Sequence, residues 1–390
     1  MNENDFPLPT MTSLRFFLFS FTLTTSMPAA SSLIFIGTYT PKDGASKGIY
    51  AVRLDNATGA LSPPVVAAET PNPTFLAWRA DQKILYALGE GPAPDGKVTG
   101  GVAAFGFDAA SGKLTLLNTR GTGGGNTTHL APDATARMLI TVSYGAGYVA
   151  AFPLGADGRI GERTAFFPQE GPLGPNKVRQ EKSHPHSVTI SPDNRFAFIA
   201  DLGLDRVFSY RIDPATAALT PNDPAFIATA PGSGPRHTKF SVDGRCFYIL
   251  DEVDGTVMVC AYDDARGTGK PLQTISTLPA GFQITDPDRA AEIRVHPNGK
   301  FIYTSNRGAL DSLAVFAVNP DGTLKLVEIV PSGGAHPRNF NLSPDGRWLV
   351  CANMNSNSLT VFKVDPATGR LAATGAPLTV PQPVCVLFAP

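Results

Sequence analysis

The chain has 390 residues, 43% of them hydrophobic, and a net charge of −1 with both signs scattered along its length. With this balance the sequence indicates no basic surface that would attract nucleic acid or an anionic membrane, so we predict neither as a partner. The 38 glycines and 35 prolines make the chain rich in turns without reaching collagen-like or disordered composition, which indicates a large globular protein.

The first 30 residues have the layout of a secretory signal peptide. A polar stretch ending at Arg15 precedes the apolar run 16–23, and small residues follow around Ala29. The apolar run is too short to span a bilayer. We therefore predict a signal peptide over 1–30, a mature chain over 31–390 that is free of the membrane, and a periplasmic or secreted location.

The first predicted strands, Leu33–Tyr39 and Gly48–Asp55, are apolar and have no partner strand before them in the chain. Six repeats of about 50 residues follow, each with four predicted strands, a pattern typical of propeller blades. The first strand of each repeat ends in a turn related to Ser-Pro-Asp-Gly, at Trp78-Arg-Ala-Asp81, Leu130-Ala-Pro-Asp133, Ile190-Ser-Pro-Asp193, Phe240-Ser-Val-Asp-Gly244, Val295-His-Pro-Asn-Gly299 and Ser343-Pro-Asp-Gly346. Such a turn makes the first two strands antiparallel, because Pro presets φ and Gly accepts a positive φ.

The end of the chain supplies the strand that the first repeat lacks. The segment 383–390 aligns with the first strand at 337–344, and it ends on Ala-Pro where other repeats have Ser-Pro. A ring cut inside this turn has such an ending, and joining the two ends removes exposed sheet edges. We therefore predict an all-β fold, a seven-bladed β-propeller whose ring is closed by the C-terminal strand pairing with the N-terminal blade.

The four cysteines are too few for a disulfide framework and lack metal-binding spacing. Cys246 and Cys260 flank one predicted hairpin and could pair. Buried free thiols are the favoured alternative, because a small apolar side chain packs well in a strand.

The repeat also predicts where functional side chains lie. Since the first and second strands are antiparallel, the start of the first and the end of the second share one face, around the mouth of the central channel, opposite the turns. Alignment on the turns places in one column Thr74, Asn126, His186, Arg236, Ala291, Arg338 and Val384. The next column holds Phe75, Thr127, Ser187, His237, Glu292, Asn339 and Cys385, with His129 two positions further along. The second strands end on Glu90, Glu252, Arg307 and Met354, preceded by Asp201, Asp251, Asn306 and Asn353.

Charged side chains gather at this mouth in blades 4 to 7. Arg236, Arg307 and Arg338 would form an anion cradle, because guanidinium groups stay charged and bind carboxylate or phosphate through two N–H groups. Glu252 and Glu292 could act as a base or hold the arginines. The alternative is structural, since ion pairs commonly connect neighbouring blades.

Four of the six histidines, at positions 184, 186, 237 and 336, also fall at the mouth. His296 replaces the turn serine on the other face, so we expect a structural role for it. His184-Pro-His186 resembles a pair of metal ligands but has no third ligand at short spacing, and we predict no metal and no cofactor. The sequence also lacks the nucleophile elbow, zinc-protease and phosphate-loop motifs.

These mouth motifs resemble those of the seven-bladed lactonase family. The matching segments are His184-Pro-His186-Ser, Gly234-Pro-Arg236-His237, Asp251-Glu252, Ala291-Glu292, Ser305-Asn-Arg307-Gly, Pro337-Arg338 and Ala352-Asn353. The family includes the propeller type of 6-phosphogluconolactonase and the 3-carboxy-cis,cis-muconate lactonizing enzymes. The resemblance implies a site of a His, two Arg and a Glu, which correspond to His184 or His186, Arg236, Arg307 and Glu252.

The sequence therefore predicts a metal-independent lactonase of carbohydrate metabolism, a monomer that hydrolyses a small anionic or sugar lactone at the channel mouth. The predicted catalytic residues are His186, Glu252, Arg307 and Arg236. The predicted substrate-binding residues are His184, His237, Glu292, Arg338, Asn339 and Asn353. The alternatives are a non-catalytic exported propeller of the YVTN-repeat kind that binds a ligand or protein, and a muconate-type cycloisomerase. The signal peptide argues against a phosphorylated substrate, because 6-phosphogluconolactone is cytoplasmic.

Overall fold

A computed structural model describes residues 31–79, 81, 83–92, 98–109, 111–285 and 289–390. Within these ranges the chain forms seven four-stranded antiparallel sheets, the blades of a β-propeller. No helix in the described residues is both long and apolar enough to cross a membrane. The predicted signal peptide, residues 1–30, lies outside the described residues.

Each blade uses four strands in the order predicted. Blade 1 contains β1 (Ser31–Thr38), β2 (Gly48–Asp55), β3 (Val65–Glu69) and, from the end of the chain, β28 (Pro383–Phe388). Blade 2 contains β4 (Leu76–Trp78), β5 (Ile84–Pro92), β6 (Val98–Asp108) and β7 (Lys113–Gly121). Blade 3 contains β8 (Thr127–Pro132), β9 (Met138–Ser143), β10 (Tyr148–Pro153) and β11 (Ala165–Pro168). Blade 4 contains β12 (Pro185–Ile190), β13 (Phe196–Asp201), β14 (Arg206–Asp213) and β15 (Ala218–Ala228).

The other three blades repeat this arrangement. Blade 5 contains β16 (Pro235–Phe240), β17 (Cys246–Asp251), β18 (Thr256–Asp263) and β19 (Thr268–Ser276). Blade 6 contains β20 (Arg289–Val295), β21 (Phe301–Arg307), β22 (Ser312–Val318) and β23 (Leu324–Pro331). Blade 7 contains β24 (Pro337–Leu342), β25 (Trp348–Asn353), β26 (Ser358–Val364) and β27 (Leu371–Thr379).

The ring closes as predicted. Strand β28 pairs with β1 in antiparallel register, with Ile34 opposite Phe388 and Gly37 opposite Cys385. The first strands of neighbouring blades contact one another around the whole circle, from β4 through β24 to β28 and back to β4. These strands therefore form the inner wall of the ring. The prediction of a closed seven-bladed propeller is confirmed.

The apolar core lies between neighbouring blades. In the layer between blades 7 and 1, Ile34, Ile36 and Val386 pack with Trp348 and Val350, all of them buried. Because each blade buries apolar side chains on both faces, its two central strands are rich in hydrophobic residues, as in β25 and β26. The packing of blade on blade fixes the direction in which the polar strand ends project.

The turns use one side chain to hold the start of the second strand. In blade 4 the Oγ of Ser191 accepts a hydrogen bond of 2.9 Å from the N–H of Phe196. In blade 6, His296 occupies this position, accepting from Asn298 N–H at 3.1 Å through Nδ1 and reaching the carbonyl of Gly346 at 3.0 Å through Nε2. Both ring nitrogens are thus engaged, which fits the structural role expected for His296.

Blade 3 corrects one part of the sequence alignment. The turn position of Ser191 is taken there by Asp133, whose Oδ1 accepts from Met138 N–H at 2.7 Å. The Ala-Pro-Asp segment is therefore displaced by two residues relative to Ser-Pro-Asp. As a result, Thr128 and His129, and not Asn126 and Thr127, occupy the two aligned columns.

All four cysteines are free and buried. Cys246 lies opposite Ala261, and Cys260 lies opposite Phe247, so the two thiols are not cross-strand neighbours. The favoured alternative of buried free thiols is confirmed, and the Cys246–Cys260 pair is not formed.

Two aspartates at the same repeat position differ in their hydrogen bonds. Asp201 Oδ1 accepts backbone N–H bonds from His184, Gly203 and Leu204 at 2.8–3.2 Å. The Oδ1 of Asp251 has no partner among the described residues, and its carboxyl is buried. Burial, and then Asp254, raise the pKa of Asp251 well above its ordinary value. Ionising Asp251 in the folded protein is therefore costly.

Replacing Asp251 by asparagine is expected to stabilise the protein near pH 8, by about 1 kcal/mol or more. Because the folded pKa is raised, the native state binds the proton more tightly, and stability is lost as pH rises from the unfolded pKa through the folded one. Asparagine removes that loss and already occupies this position as Asn306 and Asn353. Thermal unfolding across pH measures the effect, and the gain should vanish in acid. Burial also raises the pKa of Asp201, to about 6, but four hydrogen bonds engage its carboxylate, so Asp201→Asn should gain much less. A gain as large as that of Asp251→Asn would contradict the explanation.

Candidate functional site

One buried carboxylate organises the predicted site. Glu252 follows β17 and is 1% exposed. Its Oε2 lies 2.9 Å from Arg236 Nε and 2.9 Å from Arg307 Nη2, and its Oε1 binds Arg179 Nη2. Three guanidinium groups from different parts of the chain thus meet on one carboxylate.

This cluster fixes the charge of its members. Burial opposes ionisation of Glu252, but Arg307, Arg236 and Arg179 overcome it and hold the pKa of the carboxyl well below its usual range. Burial and the neighbouring Arg307 and Arg338 lower the pKa of Arg236, and Glu252 opposes that shift. The cluster is therefore an ionised carboxylate among cations, with an excess of positive charge.

A second buried network lies beside the first. His237 Nδ1 donates to Glu292 Oε1 at 3.0 Å, because its Nε2 accepts from Arg236 Nη1 at 3.1 Å. Asn339 Nδ2 also binds Glu292, and Arg294 Nη2 lies 3.3 Å from the same carboxylate. Burial, and then Arg236, lower the pKa of His237 well below its ordinary value. His237 is thus a neutral ring held in one tautomer and placed to orient Arg236.

His186 differs from His184 and His237 in its hydrogen bonds. Its ring is buried, and Nδ1 has no hydrogen-bond partner among the described residues. The ring lies 5.2 Å from His237 and 5.6 Å from Tyr144, centroid to centroid. Burial, and then Arg236, lower the pKa of His186 well below 6.5. The ring is therefore neutral at physiological pH and retains a nitrogen lone pair that can accept a proton.

His184 has both ring nitrogens engaged. Nδ1 reaches the carbonyl of Tyr144 at 2.8 Å, and Nε2 reaches Glu181 Oε1 at 3.0 Å. Its ring stacks on Tyr144 with centroids 4.0 Å apart. Of the two histidines of the His-Pro-His segment, only His186 has an unengaged ring nitrogen of this kind.

The remaining predicted residues lie in two different settings. Arg338 is half-buried, lies over the Tyr39 ring at 5.6 Å, and has no carboxylate partner among the described residues. It is close enough to lower the pKa of His186, Arg236 and Arg307 by charge repulsion, alongside the larger effect of burial. Asn353 instead binds Thr360 Oγ1 at 3.0 Å inside its own blade and joins neither network.

Arg179 and Tyr144 are site residues that the sequence analysis missed. Arg179 lies on the long connection 169–184 between blades 3 and 4, and this connection has no counterpart in the repeat. Its guanidinium also lies over the Tyr144 ring at 5.7 Å. Tyr144 occupies in blade 3 the position of Glu252, so the column at the ends of the second strands could have identified it. No repeat position points to Arg179.

Metal ligands do not assemble in the described part of the chain, where no group of three or more His, Cys, Asp or Glu side chains could hold an ion. The site consists instead of cations, the buried carboxylates of Glu252 and Glu292, and the neutral imidazoles of His186 and His237. Such a group of side chains can bind an anion, stabilise a developing negative charge and accept a proton.

Comparisons with known proteins identify the family of the chain. A family model described as "Lactonase, 7-bladed beta-propeller" matches residues 33–388. The 6-phosphogluconolactonase of Bacillus subtilis is 35% identical over 355 residues, 91% of this chain and 97% of that protein. The 6-phosphogluconolactonase of Formosa agariphila is 32% identical over 341 residues, 87% of this chain and 94% of that protein. The solved structure of a periplasmic gluconolactonase from Pseudomonas aeruginosa superimposes with a TM-score of 0.86 at 36% identity, covering 93% of this chain and 99% of that one. The family predicted from the mouth motifs is thereby confirmed: the chain belongs to the lactonase family of seven-bladed β-propellers.

Proposed function

We propose that this protein hydrolyses a small anionic or sugar lactone to its hydroxy acid, at the mouth of the central channel. The observation that carries the proposal is a set of three buried nitrogens without hydrogen-bond partners among the described residues: His186 Nδ1, Arg179 Nε and Arg307 Nε. Buried polar atoms are normally paired, so several unpaired ones at one location mark a place where water or a ligand can bind. All three belong to side chains that influence Glu252 directly.

His186 is the general base of the proposed reaction. It takes a proton from water as the water oxygen attacks the lactone carbonyl carbon, forming a tetrahedral intermediate with a negative oxygen. Collapse of the intermediate breaks the bond to the ring oxygen. That oxygen receives the proton back from His186 and becomes the hydroxyl of the product. The other product group is a carboxylic acid, which releases its proton to the solvent, and no cofactor is consumed.

The arginines stabilise the negative charge that develops on the carbonyl oxygen. Arg179, Arg236 and Arg307 share one carboxylate, so two positive charges in excess remain near it. Arg338 adds a further cation without a carboxylate partner among the described residues. Donors placed before the reaction begins stabilise such an oxyanion strongly, because they need no reorganisation. Arg338 is the residue best placed to bind an acid group already present on the substrate.

Glu252 is a positioning residue in this scheme. Its carboxylate is ionised, but three guanidinium groups engage both of its oxygens, so it is not free to take a proton from water. Its role is to hold the arginines in place. Glu292 has a similar but indirect role, because it orients His237, which in turn contacts Arg236.

The similarity to lactone-hydrolysing relatives supports this proposal over its alternatives. A muconate-type cycloisomerase would instead form a lactone by adding a carboxylate to a carbon–carbon double bond, a reaction that does not use water. A non-catalytic exported propeller would use the arginines for recognition alone. Release of acid from a lactone separates hydrolysis from recognition.

The test is acid release from a panel of lactones by the wild type, Arg307→Ala and Arg245→Ala. We expect the wild type to hydrolyse at least one sugar or anionic lactone, and Arg307→Ala to lose about 10²-fold or more in kcat/KM. Arg245 is a matched control, because it is 74% exposed and pairs only locally with Asp243 at 2.7 Å. Equal rates in all three proteins would refute the assigned role of Arg307, and no hydrolysis by the wild type would favour the recognition alternative.

We further propose that the protein is an exported monomer. The layout of residues 1–30 supports export, and the Pseudomonas aeruginosa gluconolactonase is described as periplasmic. A gluconolactone that needs no phosphate is a suitable substrate outside the cytoplasm. Cell fractionation with gel filtration checks both points.

A further inference from the structure

A polar cleft, separate from the arginine cluster, lies on the part of the ring formed by blades 1 to 3. It is lined by Tyr39, Asn72, Thr74, Glu90, Asn126 and Thr127, together with glycine backbone. None of these residues belongs to the arginine cluster. We call this surface the polar cleft.

The polar cleft is built from the same repeat positions as the arginine cluster. Strand pairing shows that Glu90 in blade 2 occupies the repeat position that Glu252 occupies in blade 5. Tyr39 occupies the same position in blade 1. Asn72 and Asn126 precede the first strands of blades 2 and 3, with φ of 47° and 55°. His336 precedes β24 in the same left-handed conformation, with φ of 64°. The cleft and the cluster therefore project toward the same face of the ring.

Two contacts connect the polar cleft with the cluster. Arg338 lies over the ring of Tyr39 at 5.6 Å, while its charge acts on His186 and Arg236. On the other side, Phe75 follows the cleft residue Thr74, stacks on His129 at 3.9 Å and lies 6.3 Å from His237. The cleft and the cluster are therefore neighbours, with Arg338 and Tyr39 on one side and Phe75 on the other.

The chemistry of the cleft is opposite to that of the cluster. Glu90 is exposed and held by Asn72 Nδ2 at 2.9 Å through Oε1, and it has no cationic partner in the described residues. Asn126 is exposed, and its side-chain amide makes no hydrogen bond within the described residues. A free carboxylate oxygen accepts hydrogen bonds from hydroxyl groups, and an amide both donates and accepts. A carboxylate at this place repels an acid group and favours a neutral polyol.

We propose that the polar cleft binds the hydroxyl groups of a sugar lactone, while the arginines bind its carbonyl. This inference rests on the proposed lactonase function and specifies its substrate. Glu90 accepts from ring or side-chain hydroxyls, and Asn126 provides the second contact. The positive charge of the arginines and the negative charge of Glu90 orient the lactone, with its carbonyl toward His186 and its hydroxyls toward Glu90.

The experiment compares kcat/KM for glucono-δ-lactone with kcat/KM for δ-valerolactone, which has the same ring size and no hydroxyls. We expect the wild type to prefer glucono-δ-lactone. Glu90→Gln and Asn126→Ala should each reduce this preference about tenfold, through loss of kcat/KM on glucono-δ-lactone alone. Glu162→Gln is the control for the same change of charge, because Glu162 is 88% exposed and pairs with Arg120 at 3.2 Å outside the cleft.

The outcomes separate this inference from the proposed function. An unchanged δ-valerolactone rate shows that each variant is folded and active. If the wild type hydrolyses both lactones and the preference is the same in all variants, the polar cleft is not a hydroxyl site but the lactonase proposal stands. If the wild type prefers the unhydroxylated lactone, the cleft proposal is overturned. If it hydrolyses neither but opens an anionic lactone of the panel, the cleft proposal fails and the lactonase proposal stands; if it hydrolyses no lactone, both fail.

Discussion

Replacing Glu252 by glutamine is expected to lower the free energy of unfolding by about 3–5 kcal/mol, because it leaves buried guanidinium groups without their shared carboxylate. Arg236 and Arg307 are 2% and 6% exposed, so water cannot compensate them. Chemical denaturation near neutral pH measures the loss. Activity should fall as well, since the arginines lose the group that holds them in place.

The pH dependence of this loss follows from the depressed pKa of Glu252. The carboxyl contributes stability above its unfolded pKa, and the contribution disappears as pH falls through the lower folded pKa. The difference between wild type and Glu252→Gln should therefore shrink in acid. Glu162→Gln, at an exposed ion pair, should change stability by less than about 1 kcal/mol. A loss of that small size in Glu252→Gln would show that the carboxylate is not essential to the cluster.

Replacing His186 by glutamine is expected to reduce kcat by about 10²–10⁴-fold, the usual contribution of a general base. Glutamine keeps polarity and approximate size but cannot accept the proton of the attacking water. Substrate affinity should change little by comparison, because the arginines remain. Initial rates at saturating lactone measure the effect, after subtraction of the spontaneous hydrolysis rate.

His237→Gln and the pH profile are the controls for His186. His237 is equally buried, but both of its ring nitrogens are engaged. The His237→Gln variant should weaken lactone binding, because it disturbs Arg236, and should leave the shape of the pH profile unchanged. Burial and Arg236 keep the pKa of His186 well below 6.5, so the decrease of kcat/KM in acid should have its midpoint below pH 6.5 in the wild type. In His186→Gln this decrease should be absent. An unchanged kcat in His186→Gln would exclude it as the base.

The repeat explains why the fold could be predicted in detail. The same turn residues and apolar second strands recur, so the strand assignment in one blade supports the assignment in the others. The Ala-Pro ending indicates the closure at β28. The alignment was wrong only where the turn chemistry changed, in blade 3. There Asp133 performs the role of Ser191, because a carboxylate oxygen can accept the same backbone N–H as a hydroxyl.

The site could be predicted only where the repeat supplies it. The aligned columns predicted Glu252, Arg236 and Arg307, and the structure places them in direct contact. Arg179 could not be predicted, because it lies on a connection with no counterpart in other blades, and only the folded ring brings it to Glu252. Burial was equally invisible in the sequence: nothing in it distinguishes the unpaired His186 from the fully engaged His184.

The pairing of β28 with β1 also has a consequence for biosynthesis. Six blades consist of strands that are contiguous in the chain, so their local pairings can form while the polypeptide is still emerging. Blade 1 cannot be completed until Pro383–Phe388 has been made. Until then the nascent chain keeps the edge of β1 open, and the arginines of blades 5, 6 and 7 are not yet held in a closed circle. Functional maturity of this protein is therefore tied to the synthesis of β28.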